Sequence, residues 1–137
     1  MITCSSSIEA DSQRSLPDRY RADLRAKGIS YLLGGRRRID LRQVLRKLRA
    51  RFGIRRLLLE GGGKINGSFL AAGLIDELSV LVAPVADGAV GTPTLFDAGQ
   101  TPGPARRLSL LEVERRPGNL VWLRYAVSPG ASGARLV

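Results

Sequence analysis

Glu60-Gly61-Gly62-Gly63-Lys64-Ile65-Asn66-Gly67-Ser68 places a carboxylate, a glycine triplet, a cation and two hydrogen-bonding side chains in one short run. The apolar run Ile54 to Leu59 precedes it, and the amphipathic stretch Phe69 to Leu74 follows. A glycine turn between a strand and a helix start suits an anion. Glycine lets a ligand come close to the backbone, and the first N–H groups of a helix, at its positive end, face the bound group. Lys64 would add a positive charge, and Asn66 and Ser68 would offer side-chain hydrogen bonds near the cap. Two standard nucleotide patterns fail here. A P-loop requires glycine where Leu58 stands, and a dinucleotide G-x-G-x-x-G begun at Gly61 and Gly63 meets Asn66 at its third glycine. On these residues alone, a phosphate cradle and a plain strand-to-helix turn remain equal readings.

Other chemistries are excluded by what the chain contains. It has no histidine and a single cysteine, Cys4, so it holds no histidine triad, no multi-thiolate metal site and no intrachain disulfide. No metal site is expected, and Cys4 reads as a small buried residue near the first strand. The net charge of +10 raises nucleic-acid binding as a possibility. Much of that charge is arginine on two helix-like stretches, Arg14 to Lys27 and Arg36 to Arg56, and the aromatic residues are scattered instead of forming a stacking platform. A solvated basic face is therefore preferred. Neither a secretory leader nor an apolar run of bilayer length is evident, so a cytoplasmic protein without membrane attachment is the expectation.

The elements that must position the glycine run follow from periodicity. Met1 to Cys4 reads as a short strand and Ser12 to Ala26 as a helix stopped at Lys27-Gly28. Ile29 to Leu33 is a buried strand. Asp40 is placed to cap a helix over Leu41 to Phe52, with Leu41, Val44, Leu45, Leu48 and Phe52 as its apolar stripe and Gly53 past its end. Ile54 to Leu59 reads as another strand, and the helix after the glycines ends near Gly73. Asp76 to Ala83 is a strand, and Pro84 to Pro104 is a long loop over an edge or a site. Leu108 to Val113 and Leu120 to Val127 form an antiparallel hairpin turning at Pro117-Gly118-Asn119. This βαβαβαβ order followed by two strands predicts an α/β domain over residues 1–128. Its sheet would be mostly parallel with a C-terminal antiparallel hairpin, and residues 129–137 would form a flexible tail. Ligands of such sheets bind at the carboxyl ends of strands, where Glu60 to Gly63 would sit.

The wider block is more specific than the triplet. Leu59-Glu60-Gly61-Gly62-Gly63, then Phe69-Leu70-Ala71-Ala72-Gly73-Leu74-Ile75-Asp76-Glu77-Leu78, Ala83-Pro84 and Gly88 together resemble the reductase domain of the bifunctional riboflavin-biosynthesis deaminase/reductases. So do Ile39-Asp40-Leu41, Gly53-Ile54 and the closing strands around Val121-Trp122-Leu123. The resemblance covers nearly the whole chain and implies a three-layer dihydrofolate-reductase-like fold. It also implies NADPH-dependent reduction of 5-amino-6-(5-phosphoribosylamino)uracil, a phosphoribosyl pyrimidine, to its ribityl form. By the same resemblance Glu60 contacts substrate, while Gly61, Gly62, Gly63, Lys64, Ile65, Asn66, Gly67 and Ser68 hold NADP phosphates. Catalytic residues are left unassigned.

Met1 aligns with the middle of such a domain. The opening strand, an Asp-Gly segment and the zinc-binding deaminase half find no counterpart. A fragment, a misplaced start codon and a truncated gene product are all open explanations. Uncovered sheet edges would then favour self-association as a homodimer or by strand exchange. A noncatalytic NADP-binding or interaction module is the alternative function, with a basic nucleic-acid binder third. Gly34-Gly35-Arg36-Arg37-Arg38 reads first as a surface turn and second as a 2′-phosphate fork. Asp76 and Glu77 read as the beginning of the strand or the cap of the preceding helix end, and Trp122 as core or sheet-face packing.

Overall fold

The computed structural model describes residues 8–12, 17–35, 38–86, 88–99 and 103–128. They fall into two compact units, Met1–Leu59 and Glu60–Val137.

In the first unit β1 (Ile8–Ser12) pairs in parallel with β2 (Ser30–Gly35), and α1 (Asp18–Ala26) connects them. α2 (Leu41–Phe52) packs on β2, and Leu32, Val44 and Leu48 form a closed core with Leu45 and Ile54 at its margin. The helix begins and ends where the sequence places it. The Asp40 carboxylate accepts from the Gln43 N–H at 3.0 Å, satisfying one of the donors left free at a helix start. At the other end Gly53 adopts φ 67°, the left-handed conformation that closes a helix and that glycine reaches without strain.

Three sequence expectations meet a different outcome here. The strand in this region is Ile8–Ser12, a stretch to which the sequence assigns no strand, and the first helix starts at Asp18 instead of Ser12. Five residues of alternation are too short to separate a strand from a helix lead-in. Ile54 to Leu59 forms no strand among the described residues. Apolar content shows that a run can be buried, whereas a strand also needs a ladder partner, and Leu58 is 74% exposed. The strand expected at Met1 to Cys4 lies outside the described residues, as do Arg36 and Arg37 and the tail 129–137.

The second unit contains α3 (Gly63–Ala71) and a three-stranded antiparallel sheet ordered β3-β5-β4, from β3 (Glu77–Val82), β4 (Leu108–Arg116) and β5 (Leu120–Val127). The hairpin turns through a short 3-10 segment, Pro117–Asn119, with Asn119 at φ 60°. Parallel pairing among the described strands is thus confined to β1–β2. The α/β class stands, with an antiparallel sheet that includes β3 as well as the hairpin.

Register sorts this sheet into two unlike faces. One carries Ser79, Trp122 and Arg124 with Glu77 and Glu112. Arg124 donates to Glu77 on β3 at 2.8 Å and to Glu112 on β4 at 2.7 Å. Those two carboxylates raise its pKa above the usual arginine range, so the guanidinium stays charged. Trp122 Nε1 donates to Ser79 Oγ at 2.8 Å, and the Arg116 guanidinium lies 4.8 Å from the indole centroid. The other face carries Leu78, Val80, Val82, Val121, Leu123, Tyr125, Leu108, Leu110 and Val113, of which Leu110 and Val113 are more than half exposed.

Candidate functional site: the turn into α3

α3 starts directly after the glycine triplet. Gly62 is its N-cap at φ −72°, ψ 171°, an extended conformation, and no side chain caps the helix. The Gly62 carbonyl accepts from Ile65 and Asn66, which leaves the N–H groups of Gly63 and Lys64 without an acceptor among the described residues. Two donors at the positive end of a helix are thus available to an anion. Lys64 is exposed beside them and forms no ion pair among the described residues. Glu60 is exposed at the entry to the turn.

The glycines do different work. A side chain at Gly61 would overlap the Ile65 side chain of α3, so the turn folds back on its own helix. A Cβ at Gly63 would lie 2.5 Å from the Thr94 carbonyl oxygen, and one at Gly67 would lie 2.6 Å from the Ala98 amide nitrogen. These two positions let the loop 94–98 lie against the first turns of α3. A Cβ at Gly62 would meet nothing within 4 Å. Gly62 is therefore the glycine of the triplet whose bareness no contact among the described residues explains.

The sequence reads residues 84–104 as a long loop over an edge or a site, without showing which of them meet the glycine turn. The part 94–98 is fastened by the Asp97 N–H, which donates to the Gly63 carbonyl at 2.8 Å, and by Asn66 Nδ2, which donates to the Leu95 carbonyl at 3.1 Å. Asp97 also accepts from the Gly99 N–H at 2.9 Å, a local turn that Asp-Ala-Gly signals in sequence. Nothing local in Gly91-Thr92-Pro93-Thr94-Leu95-Phe96 points to a partner some thirty residues upstream.

Two side chains expected to point hydrogen bonds at a ligand are engaged within the protein. Ser68 Oγ donates to the Lys64 carbonyl at 2.8 Å, and Asn66 Nδ2 also holds the Gly61 carbonyl at 3.0 Å. Ile65 is half-buried, and Gly67 is buried. The outward groups of the predicted set are thus Glu60, Gly62, Lys64 and the N–H of Gly63. At the opposite end of α3 a small cleft is lined by Leu70, Gly73, Ile75, Arg106, Val127 and Ser128. Among the described residues no three potential metal ligands cluster, and no helix is long and apolar enough to cross a membrane.

Residues 6–122 match the family model described as RibD C-terminal domain. A 2,5-diamino-6-ribosylamino-4(3H)-pyrimidinone 5′-phosphate reductase of Methanothermobacter thermautotrophicus is 42% identical over 86 residues, 63% of this chain and 38% of the relative. The protein of the same name from Archaeoglobus fulgidus is 36% identical over 63 residues, 46% of this chain and 28% of the relative. The chain therefore spans less than two-fifths of the length of these curated relatives. Among solved structures, a pyrimidine reductase-like protein of Corynebacterium diphtheriae superposes with TM-score 0.70 at 20% identity, over 88% of this chain and 50% of that one. A RibD of Acinetobacter baumannii gives 0.69 at 25% identity, over 88% and 37%.

Proposed function

The chain belongs to the RibD C-terminal domain family, and from that premise we propose that it carries the nucleotide-binding turn of a riboflavin-pathway reductase. The observation that carries the reading is the start of α3: two N–H groups and a Lys64 ammonium without partners among the described residues and an open side at Gly62, in a family whose curated relatives are named as reductases. This donor set fits the pyrophosphate of a nicotinamide nucleotide, with Gly62 allowing close approach, Gly63 and Lys64 donating from the backbone, and the Lys64 ammonium adding charge. NADPH is the proposed form. When bound it supplies a hydride, and a proton from solvent completes the reduction.

The proposed substrate is a ribosylaminopyrimidine 5′-phosphate, reduced in its ribosyl part, with Glu60 on the substrate side of the turn. The relatives are named for the 2,5-diamino-4(3H)-pyrimidinone, which bears an amino group at the ring position where the uracil form bears a carbonyl. Both compounds belong in the assay. The proposed setting is the cytoplasm.

Titration with NADPH and NADH by fluorescence or calorimetry tests the first step. NADPH-selective binding that is lost in Gly62→Val is expected, and absence of binding to either nucleotide overturns the assignment. Turnover with either pyrimidine then tests catalysis; binding without turnover would make the chain a nucleotide-binding module instead. We also propose that a second copy covers the apolar sheet face of Leu108, Leu110 and Val113. Light scattering at micromolar concentration should give a dimer, and a clean monomer would reject that part.

A further inference from the structure

Asn66 sits within α3, and both hydrogens of its side-chain nitrogen are spent on main-chain carbonyls from two different segments. One is Gly61, in the glycine turn, at 3.0 Å, and the other is Leu95, in the 94–98 loop, at 3.1 Å. Its Oδ1 is buried and has no partner among the described residues, so the side chain is placed for its donors and not for its acceptor. We infer that Asn66 is a positioning residue: it latches the glycine turn to the 94–98 loop and so holds the Gly63 and Lys64 N–H groups in the outward arrangement that an anion needs.

Other contacts support a latch. The Asp97 N–H on the Gly63 carbonyl fixes the loop at the first residue of α3. The backbone approach at Gly67 fixes it about one helical turn later, with Asn66 between the two. The Gly61 carbonyl is held from the helix side while Gly61 itself packs on Ile65. Freed from Asn66, the turn could rotate its peptide planes without breaking any α3 hydrogen bond, because the intrahelical ladder starts at the Gly62 carbonyl. Few side chains can replace this latch. Serine has one hydrogen to give, and an ionised aspartate has none and would set anionic oxygens against two carbonyls. Leucine would fill the space and hold nothing.

This role rests on the nucleotide-binding reading only for its consequence; the latch itself is tested without any ligand. In the wild-type full chain the Asn66 side-chain amide protons should exchange about tenfold more slowly than those of exposed Asn119. Equal rates overturn the latch, and this holds whether or not the variants fold. In Asn66→Asp, the Asp97 backbone amide should exchange faster while the Val80 and Leu123 amides of the sheet keep their protection. A uniform loss of protection would instead assign Asn66 to general stability. Weakening of NADPH binding by about tenfold or more is expected at pH 8, as for a modest misplacement of binding groups. Part of that affinity should return near pH 4, where the carboxyl protonates and regains one donor. Serine, with one donor at every pH, should show no such return relative to wild type. NADPH affinity of Asn66→Asp equal to wild type at pH 8 overturns the positioning role. A wild-type chain that binds no nucleotide would fail the functional reading while the exchange rates still decide the latch.

Discussion

The Asp97 amide donates to the Gly63 carbonyl oxygen at 2.8 Å, which ties a loop deep in the C-terminal half of the chain to the first residue of α3. The glycine turn is therefore shaped as much by what packs behind it as by its own flexibility. Gly63 and Gly67 are bare because backbone from residues 94–98 occupies the space their side chains would need.

Gly67→Ala should accordingly be destabilising. The new methyl would meet the Asp97 carbonyl group and the Ala98 nitrogen, which are main-chain atoms that cannot swing aside. Overpacking of this kind costs about 1–3 kcal/mol. Urea unfolding followed by circular dichroism should show the midpoint fall by a corresponding amount. A midpoint unchanged from wild type would mean the loop does not lie against α3 as described.

Gly62→Val separates binding from folding. The site is extended and a Cβ there meets nothing within 4 Å among the described residues, so the stability cost should be about 1 kcal/mol, that of a poorer N-cap residue. The same side chain would take up the space left open at the start of α3, and NADPH affinity should drop about tenfold or more, equivalent to about 1.4 kcal/mol. Calorimetric titration beside a melting curve reads both. A larger loss of stability together with affinity would place Gly62 in the packing class of Gly67.

Much of this was legible in the sequence, for identifiable reasons. α2 was readable to the residue because its signals are local: Asp40 before it, an apolar stripe within it and Gly53 after it. The hairpin was readable from alternation around a Pro-Gly-Asn turn. The turn into α3 was readable as a position, yet the separate duties of its glycines were not, because Thr94 and Asp97 decide them from far along the chain. The same distance hid the engagement of Asn66 with Leu95. Strand pairing failed in the same way at Ile54 to Leu59, where an apolar run specifies burial but not a neighbour.

Asp40→Ala tests the local signal on the other unit. It removes the bond to the Gln43 N–H and leaves that donor to water, at about 1 kcal/mol. Because α2 supplies Val44 and Leu48 to the core, fraying should propagate, and thermal unfolding should shift down by a few degrees. Asp40→Asn or Asp40→Ser, which keep an acceptor oxygen, should recover most of the loss. Failure of both to recover it would show that the carboxylate acts by charge and not by capping.

Asp97→Asn makes the sharpest electrostatic prediction. Asp97 Cβ lies 3.4 Å from the position a Gly63 Cβ would take, so its negative charge sits close to the positive end of α3. In the free protein that charge stabilises the helix end, but it repels an incoming phosphate. Asparagine keeps an oxygen for the Gly99 N–H and removes only the charge. The two effects should therefore have opposite signs. Unfolding free energy should fall by about 0.3–1 kcal/mol, while NADPH should bind about two- to fivefold more tightly at low salt. Both differences should shrink as ionic strength rises, since the group is exposed and screened. Weaker NADPH binding in this variant at every salt concentration would mean that the phosphates do not approach α3 from the side of Gly62 and Asp97.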